Sequence, residues 1–242
     1  MAQDINIQNS TPRLQVPMGI LIARGDVEGF TGIQKFGYNP TVGGSFETVW
    51  DGANDYTYIA TAGTAVATSS DTASDNTGTV EVQGLDENYD LVTETLTIGG
   101  SASTASFSRV FRARMVTANT GNANVGNITI TVDSKSSAII TAGRGQTLMA
   151  IYTIPRGKRG YLLQLDVGSS KDLENEVKLV TKDITNGNVF NTKAFVTTRG
   201  GFIEKNYFYP VVIDEKTDIE IKAKSSATSA VSAGFELFIE DK

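Results

Sequence analysis

Hydrophobic and polar positions along this chain recur mostly with a period of two, in short runs bounded by Gly, Asn, Asp and Pro. That is the pattern of half-buried β-strands. The run "MGILIARG" from Met18 reads as an apolar strand, followed by "TGIQKFGYNP", which closes at Pro40. "FETVW" alternates, with Phe46, Thr48 and Trp50 on one side and Glu47 and Val49 on the other. "DYTYIAT" is aromatic and β-branched, and the Thr/Ser/Ala/Asp stretch from Ala62 to Thr79 predicts a weak strand and a loop. The clearest hairpin runs from Thr79 to Ile98, with Val80 and Val82 facing Leu96 and Ile98 across an Asp/Asn turn. "FSRVFRARMV" alternates Phe107, Arg109, Phe111 and Ala113, and "NITITV" puts Ile128, Ile130 and Val132 on one face.

Beyond Gly143 the pattern predicts further strands in "QTLMAIYTIP", "YLLQLDVGSS", "EVKLVTKDI", "VFNTKAFVTT", "FIEKNYFYPVVI", "TDIEIKAKSS" and "GFELFIEDK". Asn186-Gly187 marks a hairpin between two of them. About seven strands in roughly 100 residues predict a β-sandwich or jelly roll. The expected fold is all-β, with two antiparallel sandwich or jelly-roll-like domains. An extended polar N-terminal arm takes residues 1–16, an N-terminal β-sandwich 17–144, and a jelly-roll-like domain 145–242. An alternative is one elongated body with an insertion over roughly 45–140.

Composition narrows the chemistry. The 242 residues include neither Cys nor His. Disulfides, thiol chemistry, Cys/His zinc sites and His-based triads are therefore excluded. The usual proton shuttle at neutral pH is missing as well, which points away from an enzyme. No G-x-S-x-G, Walker A or complete G-x-G-x-x-G pattern occurs. Residues 1–140 carry 14 acidic and 7 basic side chains, whereas 141–242 carry 13 and 14, giving a net charge of -6. That balance does not suit nucleic acid, which needs clustered Lys and Arg. No apolar run approaches the ~18 residues of a membrane helix, and the polar start does not read as a signal peptide.

Several clusters could carry chemistry, each with a plainer reading. Arg24-Gly25-Asp26 spells an adhesion tripeptide but reads better as a turn. Asp86, Glu87, Asn88 and Asp90, like Asp51, Asn54 and Asp55, could gather oxygens for calcium. Neither set has EF-hand spacing, and Asp and Asn favour turns by local hydrogen bonds alone. Arg112 and Arg114 share a strand face that excludes Arg109, and could pair with acids of a neighbouring subunit. Arg156, Lys158 and Arg159 read as a solvated hairpin tip. Tyr207, Phe208 and Tyr209 read as core or subunit-interface packing; a sugar platform would need exposed rings beside carboxylates and amides. Trp50, beside Asp51-Gly52, reads as a buried anchor at a turn. No catalytic, cofactor-binding or metal-ligating residue is assigned, and no cofactor is expected.

The ordered strings "ARGDVEGF", "GGSFETVWDG", "TVEVQGLDENYDLVTETLTIGG", "FSRVFRARMV", "NVGNITIT", "AGRGQTLMAIYTIPRGKRGYL" and "EKTDIEIKA" resemble a family of tailed-phage virion structural proteins, found in marine phages and prophages. The resemblance covers roughly residues 17–242 and is most specific over 46–52 and 145–155. It implies a virion component, with no catalytic pattern to carry over. The expected partners are other virion proteins, the major capsid protein foremost, in a homo-oligomer, and the composition points to neither nucleic acid nor membrane. Capsid decoration or cement is the favoured role. A tail, baseplate or fibre-attachment component and a glycan-binding host-recognition module are the alternatives.

Overall fold

The computed structural model describes residues 16–242, so the extended arm expected over 1–16 lies, apart from Val16, outside the described residues. The protein is all-β and antiparallel, of the sandwich class, as the alternation predicts. The first apolar run departs from expectation: Met18–Ala23 is a short helix, α1, not a strand. Pro17 precedes it with the fixed φ that suits a helix start, and Gly25, at φ 75°, closes it in the left-handed region. The Arg24-Gly25-Asp26 tripeptide is that helix stop, with Arg24 and Asp26 paired at 3.2 Å.

Strands β1 (Phe30–Val42) and β2 (Glu47–Thr48) follow. The chain then builds a separate set of small sheets from β3 (Gly63–Thr64), β4 (Val66–Ser69), β5 (Thr79–Leu85), β6 (Leu91–Thr97), β7 (Ser106–Phe107), β8 (Arg109–Thr117), β9 (Ile128–Val132) and β10 (Lys135–Ile140). A one-turn helix, α2 (Thr72–Asp75), sits between β4 and β5. The sheet orders are β6-β5-β8, β10-β9-β4 and β3-β7. Val80 pairs with Leu96 as the hairpin pattern predicts, and Ile128, Ile130 and Val132 are all buried. "DYTYIAT" forms no strand. The Tyr56 amide donates to the Thr48 hydroxyl at 2.7 Å instead of to a ladder.

The large sheet is made by β11 (Ile151–Thr153), β12 (Lys158–Asp183), β13 (Phe190–Ile213), β14 (Thr217–Ser225) and β15 (Ser229–Asp241), in the order β1-β15-β12-β14-β11. The expected division at 144/145 needs correction here. β1 pairs with β15 and β2 with β14, so residues 30–48 belong to the sheet of the C-terminal strands. The chain leaves that sheet after β2, builds a second core between Trp50 and Ile151, and returns at β11.

The seven short strands expected there are also fewer and longer. "YLLQLDVGSS" and "EVKLVTKDI" are halves of the 26-residue β12. The first half pairs with β15 and the second with β14, and the register jumps between Ser169 and Glu174. β13 turns the same corner at Gly200 and Gly201, both at positive φ. Strands that change sheets through a bend or bulge form the corners of such packings. Val167, Leu165, Phe235 and Leu237 from one limb meet Val177, Leu179, Ile219 and Ile221 from the other in a single core.

At the crossing of β1 over the return strand, Gly37 lies against backbone. A methyl group there would sit 2.1 Å from the Val49 carbonyl oxygen and 2.5 Å from the Ala150 nitrogen. Those two atoms are themselves hydrogen-bonded at 3.0 Å. Gly37→Ala should therefore lower stability by about 2–3 kcal/mol, as overpacking does. An unchanged urea midpoint would contradict this close approach.

Candidate functional site

Where the small sheets meet the large one, charges are buried. Arg109, expected on the face opposite Arg112 and Arg114, enters the junction with only 7% of its surface exposed. Its Nε and NH2 donate to the two carboxylate oxygens of Asp218 on β14 at 2.8 and 3.1 Å. Its NH1 donates to the Ser108 carbonyl at 2.7 Å. Thr153 also donates to Asp218, at 2.7 Å. The guanidinium lies 5.1 Å from the Tyr58 ring centre and 5.5 Å from that of Tyr89. Burial alone would pull the Arg109 pKa down, but the bonds to Asp218 outweigh it and hold the charge.

Two residues along β14, Glu220 is also fully buried. It accepts from Thr48 at 2.5 Å and from Tyr58 at 3.3 Å, and Lys222 stands 3.6 Å away. Burial raises the pKa of the Glu220 carboxyl, with Lys222 pulling against it. Burial, with Glu220 adding to it, pushes the Tyr58 hydroxyl well up. Sequence reading missed Asp218 and Glu220. In "TDIEIKA" they alternate with Ile219 and Ile221 and read as a solvent face, whereas here the inserted sheets cover that face.

Outside this seam opens a cleft of about 780 Å³, lined by Tyr58, Thr61, Tyr89, Ser108, Arg109 and Lys182 among others. Its polar groups mainly hold its walls together. Lys182 stacks over Tyr58 and Phe190 at 5.0 and 5.4 Å. The seam ties the two cores together: Thr48 and Tyr58 donate to Glu220, and Thr153 and Arg109 to Asp218.

The remaining candidates fall as follows. Trp50 is a buried anchor: its Nε1 donates to the Asn54 carbonyl at 3.2 Å, and its ring meets Tyr56 edge-on at 5.1 Å. Asp51 accepts from the Leu148 amide and Asp55 pairs with Lys222. Asp86 closes its own turn by accepting from the amides of Asn88 and Asp90, and Asp90 pairs with Arg156. Among the described residues, no group of three or more carboxylates is placed to share a metal. Arg114 pairs with Glu81 and Arg112 donates to Gln146, both within the chain. Lys158 and Arg159 pair with Asp241 and Asp214.

Tyr207, Phe208 and Tyr209 lie differently from a core cluster. On β12, Leu162 pairs with Val211 and Gln164 with Asn206, so residues 207–210 bulge out opposite Leu163. Phe208 and Tyr209 are 89% and 81% exposed and touch edge-on at 4.8 Å. Tyr207 turns back onto the core. Val189, Phe195, Phe202 and Val212 are also exposed along this edge. β13 pairs only with β12 among the described residues, so its outer edge presents unpaired backbone groups beside exposed rings.

No protein-family model and no curated protein matches the chain. One solved structure, described as that of infectious bursal disease virus Gt strain, aligns over 88% of this chain and 76% of its own at 9% identity. Its TM-score is 0.18, too low to indicate a shared fold.

Proposed function

We propose that this protein is a structural subunit of a tailed-phage virion, acting as a decoration or cement protein that braces the capsid shell. The observation that carries this reading is the exposed apolar edge of β13, with Phe208 and Tyr209 standing almost free of the body. Large aromatic rings left exposed on a folded surface mark a contact with another macromolecule. Aromatic residues dominate such contacts because each covers much area at little entropic cost. A rigid sandwich with a sticky edge suits a part that is repeated many times, where weak contacts add through multivalency. The buried charges are spent on holding two cores together, which also fits a load-bearing subunit better than a catalyst.

The test is quantitative mass spectrometry of purified particles with the major capsid protein as internal standard. Decoration predicts an amount comparable to the capsid protein. A small fraction of that amount would overturn the shell assignment and move the protein to the tail or baseplate.

A further inference from the structure

We infer that the partner of the β13 edge is a second copy of this chain, joined edge to edge and antiparallel about a two-fold axis between Gly201 and Phe202. The inference rests on the assembly reading above and gives it a contact.

The first ground is a change of parity along β13. Before the corner, Ala194, Val196 and Thr198 turn inward, and Phe195, Thr197 and Arg199 turn outward. After it, Ile203, Tyr207, Val211 and Ile213 turn inward, and Phe202, Glu204 and Asn206 turn outward. Residues directly opposite in an antiparallel pair share a face. Two copies pairing across the corner must therefore match odd positions of one to even positions of the other. A two-fold axis between Gly201 and Phe202 does so.

The second ground is charge. This register sets Arg199 of each copy against Glu204 of the other, twice by symmetry. Neither side chain forms an ion pair with another described residue, although Glu174 stands opposite Arg199 on β12 and Asn206 donates to Glu204. Shifting the register by two residues either way sets Arg199 against Phe202 or Asn206 instead.

The third ground is shape. Phe202 would lie opposite Gly201, where even an added methyl group would meet nothing within 4 Å. The ladder runs from Thr197 to Asn206 of each copy and ends where residues 207–210 bulge out. At ~3.3 Å per residue, that stretch of β13 offers an edge roughly 33 Å long. With a width of about 10 Å, that is on the order of 330 Å² per copy, a weak contact of the kind that repetition in an assembly adds up.

Light scattering coupled to size exclusion tests this with three purified proteins: wild type, Arg199→Glu, and Arg199→Glu/Glu204→Arg. The expected result is a dimeric wild type, a single variant whose dimer dissociates at least about tenfold more readily, and a double variant that dimerises again. Arg199 and Glu204 are exposed, so circular dichroism should stay unchanged in all three. A wild type still monomeric at about 1 mM, where a weak contact of this size associates, would overturn the inference. So would an Arg199→Glu variant that dimerises as well as wild type, or a double variant that stays monomeric. A monomer that is still abundant in particles would sink the two-fold contact and leave the assembly reading standing. A dimer missing from particles would do the reverse.

Discussion

Replacing Arg109 by Ala should cost about 3–5 kcal/mol, because it leaves the Asp218 carboxylate buried without its cation. Asp218 is fully buried and loses two charge-assisted bonds at once, keeping only the Thr153 hydroxyl. For a chain of this length that loss corresponds to a fall of roughly 10 °C in Tm. Asp218→Ala should cost a similar amount, since the guanidinium is then stranded against the Tyr58 and Tyr89 rings. Replacing both by Leu should cost much less than the sum of the two, because an apolar pair leaves no buried charge behind. Thermal and urea unfolding of the three variants make the check. A loss below about 1 kcal/mol for Arg109→Ala would mean that the pair behaves as a solvated surface bridge and does not lock the two cores.

The second large effect is a dependence on pH set by Lys35. This β1 lysine is 7% exposed, donates to the Phe111 carbonyl, and stands over the Phe111 ring at 5.7 Å. Burial, helped by the nearby Arg112 charge, lowers its pKa to about 7 from the ordinary 10.5. The folded protein thus holds this ammonium less readily than the unfolded chain does. Below pH 7 both states are protonated and the whole penalty is present. As the pH rises toward 10.5, the folded state releases the proton first and stability increases. Between pH 7 and 9.5 the gain should be about 3 kcal/mol at ~1.36 kcal/mol per unit. With no His and no Cys in the chain, few other side chains titrate in that range. Lys35→Met should abolish the slope and raise stability at pH 7. A flat urea midpoint from pH 7 to 9.5 in the wild type would show that Lys35 is solvated and charged throughout.

The strands whose two faces have separate fates were legible in the sequence. β9 alternates buried and half-buried residues as "NITITV" implies. The β5–β6 hairpin pairs Val80 with Leu96, and Asn186-Gly187 lies in the turn between β12 and β13. These features rest on neighbours along the chain. The α1 helix was misread because six apolar residues in a row have no period that separates helix from strand.

The candidate site was legible only as a set of residues. Arg109 was visible as an arginine on an alternating strand, but its partner lies 109 positions away on β14. Asp218 and Glu220 alternate with Ile219 and Ile221 as on any half-exposed strand. The aromatic run 207–209 looked like core because large rings usually are. A four-residue bulge against β12 sends two of them into solvent instead.

Alone, the sequence determined the period of its strands, the positions of its turns and the absence of thiol and imidazole chemistry. These follow from backbone sterics and side-chain type within a few residues. Only the tertiary structure decided what covers each face. It laid the inserted sheets over the polar side of β14, which turned Asp218 and Glu220 from surface charges into a buried lock with Arg109, Thr48 and Tyr58. Among the described residues it left the outer edge of β13 unpaired, which turned a strand rich in apolar residues into an exposed one. Alternation specifies that two faces differ; which of them meets water depends on residues distant in the chain and on where a long strand bends.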